Sequence, residues 1–149
     1  MGNWTSVTPC IPCLENPEAE AKMSLKKGYT AMMSGKYRES IAHYRRYLEL
    51  NPLDKLVWVN LGNTYLESVG LTPGKSGTGG FSPDKEELIR EGIKCYEKAR
   101  ELEPNCEMTH YCLAGPYHSI GDAERSKGYF VLASHLSAVF GRGDWRGPY

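Results

Sequence analysis

No run of apolar residues approaches the roughly 18 that a membrane-crossing helix needs. The first residues also lack the basic-then-apolar layout of a secretory signal. The expectation is a soluble, intracellular chain, cytoplasmic by default. Nor is there charge of one sign to spare, because Lys and Arg number 18 and so do Asp and Glu. That balance removes the global field that gathers nucleic acid or acidic membrane. It is uneven, since Lys22 to Leu50 holds seven basic residues against two acidic ones, which reads as a solvated basic face. An even, regularly spaced set of cysteines is missing too. Cys10, Cys13, Cys95, Cys106 and Cys112 are odd in number and scattered, so a secreted disulfide framework is excluded and reduced thiols are expected. At 149 residues one domain with a real core is the natural size.

What is present is a series of helix starts and stops. Asn16-Pro17-Glu18 supplies an N-cap, a proline at the first helical position and an acid in the first turn, and helical spacing lasts to Gly35. Tyr37, Ile41, Tyr44, Tyr47 and Leu48 then recur every three to four residues until Asn51-Pro52. A third helix is expected from Pro52 to about Val69-Gly70, and a fourth from Ser82-Pro83 to about Glu103. A fifth follows Pro104-Asn105 and stops at Gly121. Asp122 can cap a sixth that ends near Phe140. Gly115-Pro116 falls inside the fifth helix, where proline removes a backbone bond and a kink is expected.

A shift of 34 residues places Gly28 on Gly62, Leu25 on Val59, Tyr96 on Phe130, Ala99 on Ala133 and Leu102 on Leu136. The segment Trp58-Val59-Asn60-Leu61-Gly62-Asn63-Thr64-Tyr65 matches W-x2-L-G-x2-Y in full. Second-helix positions agree as well: Ser40, Gly92 and Ser126 are small, Tyr44, Tyr96 and Phe130 are aromatic, and Pro52 and Pro104 close two units. On these residues the chain resembles the tetratricopeptide repeat family. The resemblance implies an all-α fold, a right-handed superhelix of three antiparallel helix hairpins. The repeat domain spans 16–140, with an extended arm over 1–15 and a tail over 141–149. Trp58, Tyr65, Tyr96, Tyr117 and Phe130 are read as core, because each hairpin is too small to bury its own stripe and must share it with a neighbour.

Tyr44 and Tyr96 are 52 residues apart, which leaves an insertion of 18 residues over about 70–87, rich in glycine. It is expected to be a surface loop, either decoration or an arm that a partner orders. Its Pro73-Gly74-Lys75-Ser76 resembles a phosphate-binding loop, but Val69 stands where a glycine is required and no strand precedes it.

The family resemblance implies a non-catalytic interaction module, an adaptor or accessory subunit that holds a protein segment in a concave groove lined by first helices. Carried onto this chain, the groove register gives Leu25, Tyr29, Met32, Met33, Val59, Asn60, Asn63, Leu66, Met108, Tyr111, Cys112 and His118. That set is apolar, with two asparagines able to pin a peptide backbone, so an apolar or amphipathic segment is the expected ligand. Family members that clamp a C-terminal carboxylate need lysines, asparagines and an arginine at set positions. Here those positions hold Leu25, Tyr29, Asn60, Met108 and Cys112, and only Asn60 fits.

Two alternatives stay open. Cys10-Ile11-Pro12-Cys13 is a CxxC, and a metal- or redox-handling accessory protein would use Cys10 and Cys13, although no second close pair completes a zinc site. Gly2 to Ser6 fits a loose N-myristoylation pattern, which would make the chain a lipid-anchored scaffold. His43, His110, His118 and His135 lie on four different helices without a nucleophile, so no enzyme and no cofactor is expected.

Overall fold

In the computed structural model the chain is described over residues 16–72, 77 and 80–140. Six helices follow one another: α1 (Pro17–Met33), α2 (Tyr37–Leu50), α3 (Lys55–Ser68), α4 (Pro83–Leu102), α5 (Glu107–Ser119) and α6 (Ala123–Phe140). Of the described residues 81% are helical and none lies in a strand. The helices pair as α1–α2, α3–α4 and α5–α6, and each second helix also packs on the first helix of the next pair. This is the right-handed, tetratricopeptide-like solenoid of three antiparallel hairpins.

The first helix of each pair stops in the same way. Gly35, Gly70 and Gly121 carry φ of 71°, 84° and 85°, a region that L side chains rarely occupy. The N–H after each glycine then reaches back to a carbonyl in the last turn, Lys36 to Ala31 at 2.9 Å, Leu71 to Leu66 at 2.9 Å and Asp122 to Tyr117 at 2.9 Å. Helix starts vary more. The Asn16 side chain accepts from the Glu18 N–H, with Pro17 in the first turn. Before α3 the sequence reading needs correction, because Pro52 and Leu53 belong to the turn. Asp54 is the cap, accepting from the N–H groups of Leu56 and Val57 while also taking the Tyr47 hydroxyl at 2.7 Å. A short acidic side chain with two amide donors in reach outcompetes the proline start.

Within a hairpin, close approach is set by a glycine facing an aromatic ring. A Cβ at Gly28 would lie 2.8 Å from the Tyr44 ring, and one at Gly62 would lie 2.6 Å from the Tyr96 ring. Both tyrosines are fully buried. Ser40 completes the first hairpin by donating its hydroxyl to the Gly28 carbonyl at 2.8 Å. Gly92 is the corresponding small residue of the second, where an added Cβ would stand 3.3 Å from the Gly62 carbonyl.

The third hairpin departs from this plan. Ala114 holds the position of Gly28 and Gly62, and Phe130, expected in the core, is 55% exposed. The alanine methyl fills the space that admits the ring in the other two pairs, and no further first helix follows α6 among the described residues. Tyr129 takes over the inward role, with its ring 5.5 Å from that of Tyr117. Of the other aromatics read as core, Tyr65, Tyr96 and Tyr117 are buried and Trp58 is half-buried, its indole N–H donating to the Pro52 carbonyl. The α5 helix continues as one element through Pro116, which is itself buried.

The insertion divides between helix and loop. Part of it extends α4, which has 20 residues against 14 in α2. At the loop's two ends Leu71 is buried in the main core and Phe81 packs against it, while the Gly77 N–H donates to the Ser119 hydroxyl at the end of α5. These described parts tie the second hairpin to the third. No described helix is long and apolar enough to cross a membrane.

Candidate functional site

The first helices α1, α3 and α5 carry the twelve residues assigned to the groove, and the structure separates them. On α1, Tyr29 and Met33 are 45% and 65% exposed, whereas Leu25 and Met32 are half-buried and pack against the cluster built on Tyr44 and Tyr65. On α3, Val59 and Leu66 are core residues with 4% and 1% exposure, which corrects their assignment to an accessible groove. Asn63 is corrected in the same way. Its Oδ1 accepts the Tyr96 hydroxyl at 2.6 Å, so the amide is committed inside the second hairpin. Asn60 is half-buried on the same helix. On α5, Tyr111 and His118 are exposed and Met108 is half-buried, but Cys112 is buried against Leu113 and Tyr117.

The reason is position in the stack. The middle helix α3 is enclosed by α2 and α4, and the cluster around Val59 and Leu66 is completed by Leu71, Ile89 and Leu113. A register copied from one repeat to the next takes no account of that enclosure.

What the surface offers is therefore two aromatic ends and a polar middle. At the α1 end stand Tyr29 and Met33. At the α5–α6 end Tyr111 and Phe130 meet with ring centroids 6.4 Å apart, beside a cleft of about 320 Å³ lined also by Ala114, Gly115, His118, Ser126 and Lys127. Between them, Asn60 and Glu67 are seven residues apart and share one face of α3. Burial holds the Glu67 carboxyl above its usual range. Phe130 and Glu67 were not among the groove residues expected from sequence. The sequence signal for Phe130 is the alanine at position 114, and Glu67 carries no motif that marks it.

Other candidate chemistry is sparse. The Cys10–Cys13 pair, the acylation pattern and the tail over 141–149 lie outside the described residues. Among those described, no group of three or more His, Cys, Asp or Glu side chains is placed to hold a metal ion. Burial pushes the thiols of Cys95 and Cys112 up to about 12, which suppresses the reactive thiolate. One polar knot stands out at the α4–α5–α6 junction. Glu97 accepts the Tyr129 hydroxyl at 2.5 Å, the Arg100 Nε at 2.6 Å and the Tyr117 hydroxyl at 3.1 Å. Burial opposes its ionisation, yet these donors together hold its carboxyl below the usual range. Its groups are mutually satisfied, which makes it a fastener between hairpins.

No family model and no curated protein matches the chain. Solved structures do. One titled "MamA MSR-1 C2" superposes with a TM-score of 0.62 at 22% identity, covering 79% of this chain and 57% of its own. A second, "MamA RS-1 ArsTM double mutant", gives 0.64 at 18% identity over 83% of this chain and 59% of its own. A third, a point mutant of MamA, gives 0.61 at 21% identity over 80% of this chain and 79% of its own. The chain thus spans less than two thirds of the first two. At these identities the likeness is one of fold.

Proposed function

We propose that the chain is a non-catalytic protein-binding module, an adaptor or accessory subunit whose concave face takes an amphipathic segment of a partner protein, within a larger complex. The observation that carries this reading is the exposure of Tyr29, Met33, Tyr111 and Phe130 on a scaffold whose other described aromatics are mostly packed inside. Aromatic side chains give large contact area for little ordering cost, and methionine adapts its shape to an irregular apolar partner. Asn60 and Glu67 between the two ends favour a segment with apolar side chains at its ends and a donor or cation at its centre.

The test is affinity capture from the native host with the intact chain and with a Tyr29→Ala/Tyr111→Ala variant, checked for unchanged helicity. Both tyrosines lie on the surface, so the variant keeps its core. A partner lost at least tenfold by the variant supports the groove. Equal retention by both proteins refutes it.

A further inference from the structure

Among the described residues seven acidic side chains are half-buried, and all but one have a partner. Glu20 pairs with Arg46, Glu86 with Arg90, Glu91 with Lys94, Glu97 with Arg100 and Asp122 with Arg125. Asp54 caps α3 and takes the Tyr47 hydroxyl. Glu67 is the exception, half-buried on α3 with no ion pair and no hydrogen bond to its carboxylate. A carboxylate drawn part-way out of water without compensation is costly, and burial alone accounts for its raised pKa.

The repeat sets Glu67 in line with the groove. It stands 34 residues after Met33, which is exposed on α1, and 52 before Ser119, whose hydroxyl is taken up by Gly77 and Gly115. Burial above all raises the hydroxyls of Tyr44 and Tyr96, and the Glu67 charge raises both further, so the carboxylate lies within electrostatic reach of α2 and α4. Neither hydroxyl turns to it. Tyr96 donates to Asn63 at 2.6 Å, and Tyr44 is directed at the Met32 sulfur at 4.0 Å. The Tyr44 hydroxyl also feels Tyr29, itself 45% exposed, so an aromatic ring stands at the same seam. The twelve residues of the groove register include no Lys, Arg, Asp or Glu, and so offer Glu67 neither a cation nor a second acid.

We propose that Glu67 sets the specificity of this groove, and that the segment bound there carries a lysine or arginine whose cation pairs with the Glu67 carboxylate. The proposal rests on the groove reading above and narrows it. A neutral donor would leave the charge uncompensated in a partly desolvated place, and an acid would be repelled. A cation gains the charge-assisted bond together with the face of a neighbouring ring. Tyr29 and Met33 on one side and Tyr111 on the other then receive the apolar side chains that flank the cation.

Selection of random peptides displayed on phage, against the full wild-type chain and against Glu67→Gln, tests this. Glu67→Gln has no partner to lose, so its helicity and Tm are expected to be kept. Wild type is expected to select Lys or Arg at one fixed position between apolar residues. Glu67→Gln should keep the apolar pattern and lose the basic position, and Glu67→Lys should select Asp or Glu there. For one selected peptide, followed by fluorescence anisotropy, Glu67→Gln and exchange of the peptide's cation for norleucine should each weaken binding roughly tenfold or more. Both changes together should cost little more than either alone. An apolar consensus without a basic position, or a basic position that survives Glu67→Gln, overturns the proposal and leaves the groove standing. A basic preference that emerges only with Lys75→Ala or in a chain ending at Phe140 also overturns it, because a cation of the chain itself would then hold Glu67. No consensus at all, or one indifferent to Tyr29→Ala/Tyr111→Ala, refutes the groove and this proposal with it.

Discussion

Replacing Gly62 by alanine sets two opposing effects against each other. Gly62 lies inside α3 with ordinary helical backbone, so alanine gains about 1 kcal/mol of helix propensity. Its methyl, however, would stand 2.6 Å from Tyr96 Cε1 and 2.8 Å from Cδ1. The ring cannot swing away, because Tyr96 is 0% exposed and its hydroxyl is tied to Asn63 at 2.6 Å. Overpacking of this kind costs about 1–3 kcal/mol, and parting the hydroxyl from Asn63 adds about 1 kcal/mol. The net expectation is a loss of roughly 1–3 kcal/mol, or a fall in Tm of about 4–12 °C for a chain of this size. Urea and thermal unfolding followed by circular dichroism read the change directly. Combining the substitution with Tyr96→Leu, which vacates the ring's place, should make the two effects markedly non-additive, with Gly62→Ala costing less in that background. Ala114→Gly is the control, since no ring waits in the third hairpin. It should only lose propensity, by about 1 kcal/mol. A Gly62→Ala protein as stable as wild type, or more so, would refute the glycine-against-ring account of how these hairpins close.

Glu97 should make stability sensitive to acid. Its carboxyl is held below the ordinary 4.5, so the ionised form is the one that folding favours. The contribution is whole above the unfolded value and is lost as pH falls through the folded one. Wild-type Tm is expected to drop more steeply than that of Glu97→Gln below about pH 4.5, and parallel curves would contradict the role given to this knot. Cys95 and Cys112 are expected to react with a thiol reagent at pH 8 orders of magnitude more slowly in the native protein than in urea, because both are buried with thiols pushed up to about 12. Peptide mapping of the labelled sites checks this, and fast native labelling of either one would place it outside the core.

Much of the architecture was legible in the residues because it is local. A glycine at the end of a first helix needs only its own φ to stop it, and the pairing of Gly28 with Tyr44 recurs as Gly62 with Tyr96 once the 18-residue insertion between the second pair is set aside. The repeat register therefore determined six helices and three hairpins. Asp54 was missed as a cap because proline and aspartate both signal a start, and only the amide geometry selects between them.

The accessible surface was not local. Val59, Leu66, Asn63 and Cys112 occupy positions that a repeat leaves facing a groove, and neighbours distant in sequence close over them: Leu71 and Leu113 join the cluster of Val59 and Leu66, and Tyr96 takes the amide of Asn63. Phe130 went the other way, released to the surface by one methyl at Ala114 and by the end of the stack. Sequence alone determined which segments are helical and how they pair, since those depend on helix stops and on motif positions that repeat in each unit. Which side chains remain for a partner was decided only in the folded stack, because exposure is the sum over all neighbours and a repeat motif records just one of them.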